Sequence, residues 1–298
     1  MRSFIADAES AAHLEATARG CTLSVLPVDA TLAIRANRAL LQAALTNLLQ
    51  NAFKFTHGEA TISLNVFASQ GKVASLPEAA LQRWLPQLEL VQLTLGQVLY
   101  EPGGTMTNAY FPTTSIVSML YVMKNGESAE TAVVGAEGLI GIPLIMGGDF
   151  TSSRAVVQNA GPAYLLPAAA LKQEFKDAAV LHLLLRYTQA LMSQTVQTAA
   201  CNKHHTLEQQ LSRWLLLSLD RLPTNQLVMT PQLIANMLGV KQPMVREAEK
   251  KLQSDGLIQY DTGRITVTNR PGLEMTSCEC YLDVKTEYDR LLPATRAT

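Results

Sequence analysis

Apolar and polar positions change rhythm several times along the 298 residues. Short runs rich in β-branched and aromatic residues (VQLTL, VLY, NAYF, SIVSMLYV, AETAVV, SRAVVQ) sit among ten of the chain's 17 Gly, all ten between positions 96 and 161. Short strands between frequent turns predict a β-sandwich or barrel. From Pro167 to Leu222 the pattern becomes helical, poor in Gly and rich in Ala, Leu and Gln. Val180, Leu184, Tyr187 and Leu191 follow a 4-3-4 spacing, a stripe wide enough for one partner helix. The stripe turns polar at Gln194 and Thr198, and spacing alone leaves open whether it packs on its own domain or forms a dimer seam. A second helix, Thr206 to Leu222, buries Leu207, Leu211, Trp214, Leu215 and Leu219. The first 70 residues form a separate block. There ALLQAALTNLLQNAFKFT reads as an amphipathic helix and ATISLNVF as an alternating strand, followed by a small, polar linker, ASQGKVASLP.

Residues 228–269 carry the clearest local signal. Thr230 is suited to cap a helix and Pro231 to its first turn, with Leu233, Ile234, Met237 and Leu238 facing inward and Gly239 as the stop. The next helix turns Val245, Ala248 and Leu252 inward and leaves Lys241, Gln242, Met244, Arg246, Glu249 and Lys250 largely outward. Two short helices around a Gly turn make a helix-turn-helix, and the strands LIQY and RITVTN, joined through Asp261-Thr262-Gly263, make a wing.

Composition narrows the function. With 48% hydrophobic residues the chain folds, and at about 150 residues per domain it has room for two domains. The 24 basic and 25 acidic residues give a net charge of −1, which argues against coating nucleic acid by bulk charge. Over residues 203–270, however, nine basic residues meet six acidic ones, a local excess of +3. Apolar runs are far shorter than the roughly 20 residues a membrane span needs. The N-terminus lacks the apolar stretch of a secretory signal, so a cytoplasmic protein without membrane contact is expected. Four Cys are too few for a disulfide scaffold in this length. Cys201, His204-His205, Cys278 and Cys280 are soft or borderline ligands. A Cys-x-Cys pair on a helix, though, separates its thiols by about 200°, a poor chelate. Packing cysteines are the expectation, with no metal and no cofactor. No acid–base pair, nucleophile motif or complete phosphate loop is present, so no catalytic residue is assigned and an enzyme is not expected.

LPQLELVQLTLGQVLYEPGG, NAYFP, VGAEGLIGIPL, SSRAVVQ, the long helix and the winged helix-turn-helix together resemble the Crp/Fnr superfamily of bacterial transcription regulators over residues 76–292. The resemblance implies an α+β chain: a cyclic-nucleotide-binding-like, effector-sensing β-roll (76–170), a long dimerisation helix (171–202) and a winged helix-turn-helix DNA-binding domain (203–292). It implies double-stranded DNA and a second copy of the chain as partners, and allows RNA polymerase as another. The dimer seam would centre on Leu184, Tyr187 and Leu191, and the small-molecule effector is unknown. Cyclic-nucleotide binders of this superfamily place a Glu after an Ile-Gly pair and an Arg-Ser pair on the phosphate. The corresponding pocket here reads Gly141, Ile142, Ser153, Arg154 and Ala155, without the Glu, so cyclic AMP is not the expected effector. Arg154 suits equally a structural ion pair.

The helix beginning near Lys241 and Pro243 would then read DNA. Gln242 can pair with adenine, Glu247 can accept from cytosine N4 and Met244 can touch a thymine methyl, while Arg246, Lys250 and Arg264 approach phosphates. NLLQNAFKFT, with Asn47, Asn51 and Lys54, resembles the N-box of histidine-kinase ATP-binding domains. Residues 1–70 would be a truncated, partial α/β fragment of that kind, with a vestigial site because the other nucleotide-binding segments are missing. The alternative function is a ligand-sensing or ATP-binding signalling protein acting through a protein partner.

Overall fold

In the computed structural model the described residues are 2–18, 21–25, 42, 45, 46, 49, 61–64, 76–222 and 224–292. The chain divides into two compact units, Met1–Ala68 and Ser69–Arg296.

In the first unit a helix, α1 (Arg2–Ala18), precedes β1 (Thr22–Val25), which pairs in parallel with β2 (Thr61–Leu64), Thr22 opposite Thr61. Parallel neighbours require a long crossover rather than a hairpin. Ala12, Ala16, Leu23 and Leu49 form its buried cluster. Asn47, Asn51 and Lys54 lie outside the described residues.

The second unit starts with α2 (Glu78–Trp84) and continues into two antiparallel sheets. One has the order β3-β9-β5, from Glu89–Leu93, Gly161–Pro167 and Asn108–Pro112. The other has the order β4-β8-β6-β7, from Val98–Tyr100, Arg154–Asn159, Ile116–Val122 and Ser128–Val134. Alternation does the sorting: Ala109 and Phe111 of β5, and Ala155 and Val157 of β8, point into a common core with Trp84 and Ile140. Gly126 takes a φ of 87° in the turn between β6 and β7, a backbone that side chains disfavour.

A short helix, α3 (Ile142–Ile145), lies between β7 and β8, and α4 (Ala168–Gln173) follows β9. Helix α5 (Ala178–His204) then runs for 27 residues, about 40 Å. Asp177 caps it, accepting from the Ala179 and Val180 amides, and Arg83 pairs with both Glu174 and Asp177. Helix α6 (Leu207–Leu219) opens on a capping box between Thr206 and Gln209. Next come β10 (Gln226–Val228), α7 (Pro231–Leu238), α8 (Gln242–Ser254), β11 (Ile258–Asp261) and β12 (Arg264–Val267). The chain closes with α9 (Arg270–Thr276) and α10 (Cys280–Leu291). Strands β10, β12 and β11 form a small antiparallel sheet.

The architecture is α+β, with the β-roll, the long helix and the winged helix-turn-helix that the sequence predicted. The stripe on α5 has a different use from the expected seam. Leu184 and Tyr187 are buried within the chain, Leu191 packs on the same core, and the Tyr187 hydroxyl donates to the Leu139 carbonyl at 3.0 Å. The polar end of that stripe is buried as well. Gln194 donates to the Val133 carbonyl and accepts from the Tyr288 hydroxyl, and Thr198 accepts from Arg213. Hydrogen bonds satisfy these groups, which removes most of the penalty of burying them.

Candidate nucleic-acid interface

Helix α7 begins where the Thr230 hydroxyl accepts from the Leu233 amide and ends at Gly239, whose φ of 66° is left-handed. After Val240 and Lys241 the chain re-enters a helix with Pro243 in the first turn of α8. Val245, Ala248 and Leu252 hold α8 against α6 and α7. Lys241, Pro243, Met244, Arg246, Glu247 and Lys250 lie on the exposed side, with Gln242 half-buried. The structure therefore brings seven of the eight sequence-predicted contact residues onto one helix start and face.

The eighth, Arg264, is exposed on the wing strand β12, opposite Asp261 of β11 and Val228 of β10. The wing turn has two residues, Thr262 (φ 43°) and Gly263 (φ 81°), the doubly left-handed form that suits the twist of a hairpin. Lys241, Lys250 and Arg264 form no ion pair among the described residues, so their charge is available to an external anion.

Glu249 departs from the outward position expected of it. It is 5% exposed, one Oε atom lacks a hydrogen-bond partner, and burial raises its carboxyl to about 7 against the pull of Arg246. Position 249 is four residues after Val245, so the helical period itself assigns it to the inner face.

The sequence-predicted effector residues differ in burial, with Ile142 half-buried. Ala155 is fully buried in the core, while Gly141 caps α3 with a φ of 138°. Ser153 and Arg154 are half-buried at the start of β8. Arg154 donates through Nε to Glu101 at 2.8 Å, so its guanidinium is already paired with a carboxylate, which also repels a phosphate.

The β-roll holds the helix-turn-helix directly. Arg221, just after α6, pairs with Glu137 at 2.5 Å, both side chains largely buried, and its stem fills the place a Cβ would take at Gly135. Gln158 of β8 donates to Ser218 of α6 at 2.9 Å. A Cβ on Gly239 would meet the Ala129 methyl of β7 at 3.1 Å, so the turn between α7 and α8 rests on the roll. No sequence signal pairs these residues, which lie 60 to 110 positions apart.

Residues 209–276 match the Crp-like helix-turn-helix domain. The fold of the second unit is similar to those of solved Crp/Fnr-family regulators. FixK2 from Bradyrhizobium japonicum superposes with a TM-score of 0.57 at 16% identity, over 64% of this chain and 98% of its own. A CRP-family transcriptional regulator from Thermus thermophilus gives 0.55 at 16% identity, over 63% and 96%. A CRP/FNR-family regulator from the same organism gives 0.51 at 20% identity, over 63% and 98%. Part of this chain thus has no counterpart in those regulators. No curated protein matches the chain by sequence. No helix among the described residues is long and apolar enough to cross a membrane.

Proposed function

We propose that the protein is a dimeric, DNA-binding transcription regulator of the Crp/Fnr type that reads a two-fold symmetric operator with α8. The observation that carries this reading is the exposed polar face of α8, set beside a wing that presents Arg264, within a Crp-like helix-turn-helix domain. Two copies of α8 in successive major grooves lie about 34 Å apart. Gln242, Met244 and Glu247 then face base edges, and Lys241, Arg246, Lys250 and Arg264 face phosphates.

The second copy docks on the outer face of α5. Ala178, His182, Leu185, Gln189, Met192, Val196 and Ala199 are exposed at alternating steps of four and three, the spacing of a two-helix seam. Leu185, Met192 and Val196 are 53%, 59% and 68% exposed, and a groove of about 340 Å³ lined by Leu181, Leu185 and Gln189 runs along the first turns. The seam thus moves half a turn from Leu184 and Tyr187, which already have partners.

In this reading the β-roll is the sensing domain, with an effector other than cyclic AMP, since Ile142 supplies no carboxylate and Arg154 is paired. RNA polymerase is a further partner of such a regulator, and catalysis has no part. The N-box likeness of Asn47, Asn51 and Lys54 rests on sequence alone and is read as vestigial.

Selection from random duplexes followed by salt titration tests the assignment. Enrichment of a palindrome is expected. Gln242→Ala relaxes base preference at unchanged salt slope, whereas Lys250→Ala weakens every sequence and lowers the slope by about one unit. Absence of any enriched sequence overturns the reading in favour of a sensor acting through a protein partner.

A further inference from the structure

Four potential metal ligands that the DNA-reading assignment does not use converge where α5 ends. Cys201 lies in the last turn of α5, and His205 caps that helix, its amide donating to the Cys201 carbonyl at 3.0 Å. Cys278 lies in the bend after α9, and Cys280 is the first residue of α10. The helical geometry that made Cys-x-Cys a poor chelate does not apply, because Cys278 is outside the helix and its thiol turns the same way as that of Cys280. All three thiols are buried, at 0%, 4% and 1% exposure, and the four ligand atoms lie within 4.8 Å of one another.

We propose that Cys201, His205, Cys278 and Cys280 form a tetrahedral site for a thiophilic divalent cation of the zinc class, which fastens the end of the long helix to the C-terminal helices. Zinc bonds of about 2.3 Å to sulfur and 2.0 Å to nitrogen give a tetrahedron with edges of about 3.5–3.8 Å. Cys201 Sγ lies 3.5 Å from Cys278 Sγ, and Cys280 Sγ lies 3.6 Å from His205 Nδ1.

The histidine separates this from ordinary thiol packing. Its Nε2 faces the Glu279 carboxylate at 3.3 Å, and with the ring proton on that nitrogen the Nδ1 lone pair is on the side of the Cys280 thiol. A carboxylate behind a ligating imidazole is the arrangement that orients metal-bound histidines. Three thiolates and a divalent cation leave one negative charge. Arg213, 3% exposed with its Nε unbonded, lies within Coulombic reach of Cys201 to offset it.

The test uses the full chain and elemental analysis after gel filtration in zinc, with cobalt(II) as the spectroscopic probe. One ion per chain is expected, with the strong visible bands and near-ultraviolet thiolate charge transfer of tetrahedral cobalt. Cys201→Ser and Cys278→Ser reduce retained metal at least tenfold, while Cys21→Ser keeps it. His205→Cys, which preserves a four-ligand set, keeps the ion with stronger charge transfer. Glu279→Ala, at a positioning residue, weakens affinity about 10- to 100-fold. The proposal is overturned if the folded wild-type chain retains no ion or gives an octahedral cobalt spectrum. It is also overturned if Cys201→Ser combined with Cys278→Ser keeps the metal, or if a Cys201–Cys278 disulfide accounts for those thiols in protein purified anaerobically. Stoichiometry is measured without DNA, so this outcome is independent of the operator experiment.

Discussion

Thr262 stands at φ 43°, where a β-branched side chain crowds its own backbone, and only its position in the two-residue wing turn keeps it there. Thr262→Asn removes that crowding and is expected to raise stability by about 1 kcal/mol, read as a higher urea midpoint at unchanged slope. A lower midpoint would show that the Thr262 hydroxyl bond to Asp261 matters more than the backbone. A second residue-scale consequence concerns Glu130 in β7. Burial raises its carboxyl from 4.5 to about 7, against the pull of Ser118, Arg213 and Arg221. Ser118 has one hydroxyl proton for two neighbours, Glu130 at 2.5 Å and Gln158 at 2.8 Å. A protonated Glu130 donating to Ser118, which donates to Gln158, satisfies both contacts. Because the folded pKa is the higher one, the native state holds more protons between pH 4.5 and 7, and stability falls as pH rises through that window. Glu130→Gln is expected to flatten the slope and to add up to about 3 kcal/mol above about pH 7, measured by denaturation at several pH values. An unchanged pH slope would mean that Glu130 titrates normally. Neither position was legible as special in the sequence, since Thr262 follows an ordinary turn signal and Glu130 sits in an alternating run.

At the scale of elements, α5 shows what periodicity can and cannot do. The 4-3-4 spacing of Val180, Leu184, Tyr187 and Leu191 correctly marks a buried face, and the structure assigns that face to the chain's own roll. The seam we propose lies on the opposite face, where Leu185, Met192 and Val196 alternate with His182 and Gln189 and so carry a weaker apolar signal. Leu185→Glu combined with Met192→Glu is expected to yield a folded monomer by light scattering, since an unpaired carboxylate in a seam costs several kcal/mol. Leu184→Glu is expected to unfold the chain instead. A dimer that survives the first pair, with a normal circular dichroism spectrum, would place the seam elsewhere. The wing and α8 were legible because each is closed by local signals, Thr230-Pro231, Gly239 and Thr262-Gly263, that act within a few residues. Glu249 was misplaced because its charge was weighed above its period.

Over the whole second unit, the winged helix-turn-helix is held to the roll by the buried Arg221–Glu137 pair and the Gln158–Ser218 bond. Arg221→Ala leaves Glu137 buried without its partner and should cost about 3–5 kcal/mol. It is expected to split a single thermal unfolding transition into two, and Glu137→Gln in the same chain should recover part of the loss. One unchanged transition would show that apolar packing alone joins the two parts. By itself the sequence determined the run of short strands, the long helix after them and the winged helix-turn-helix, because caps, glycine turns and apolar periods act over a few residues. It also determined the separate character of the first 70 residues, through a change of pattern. Only the tertiary structure decided which face of α5 is occupied and that Arg154 is paired with Glu101. It alone brought three cysteines and a histidine together across about 80 residues. Those outcomes depend on which distant surfaces meet, and a side chain's spacing within its own helix or strand does not specify its partner.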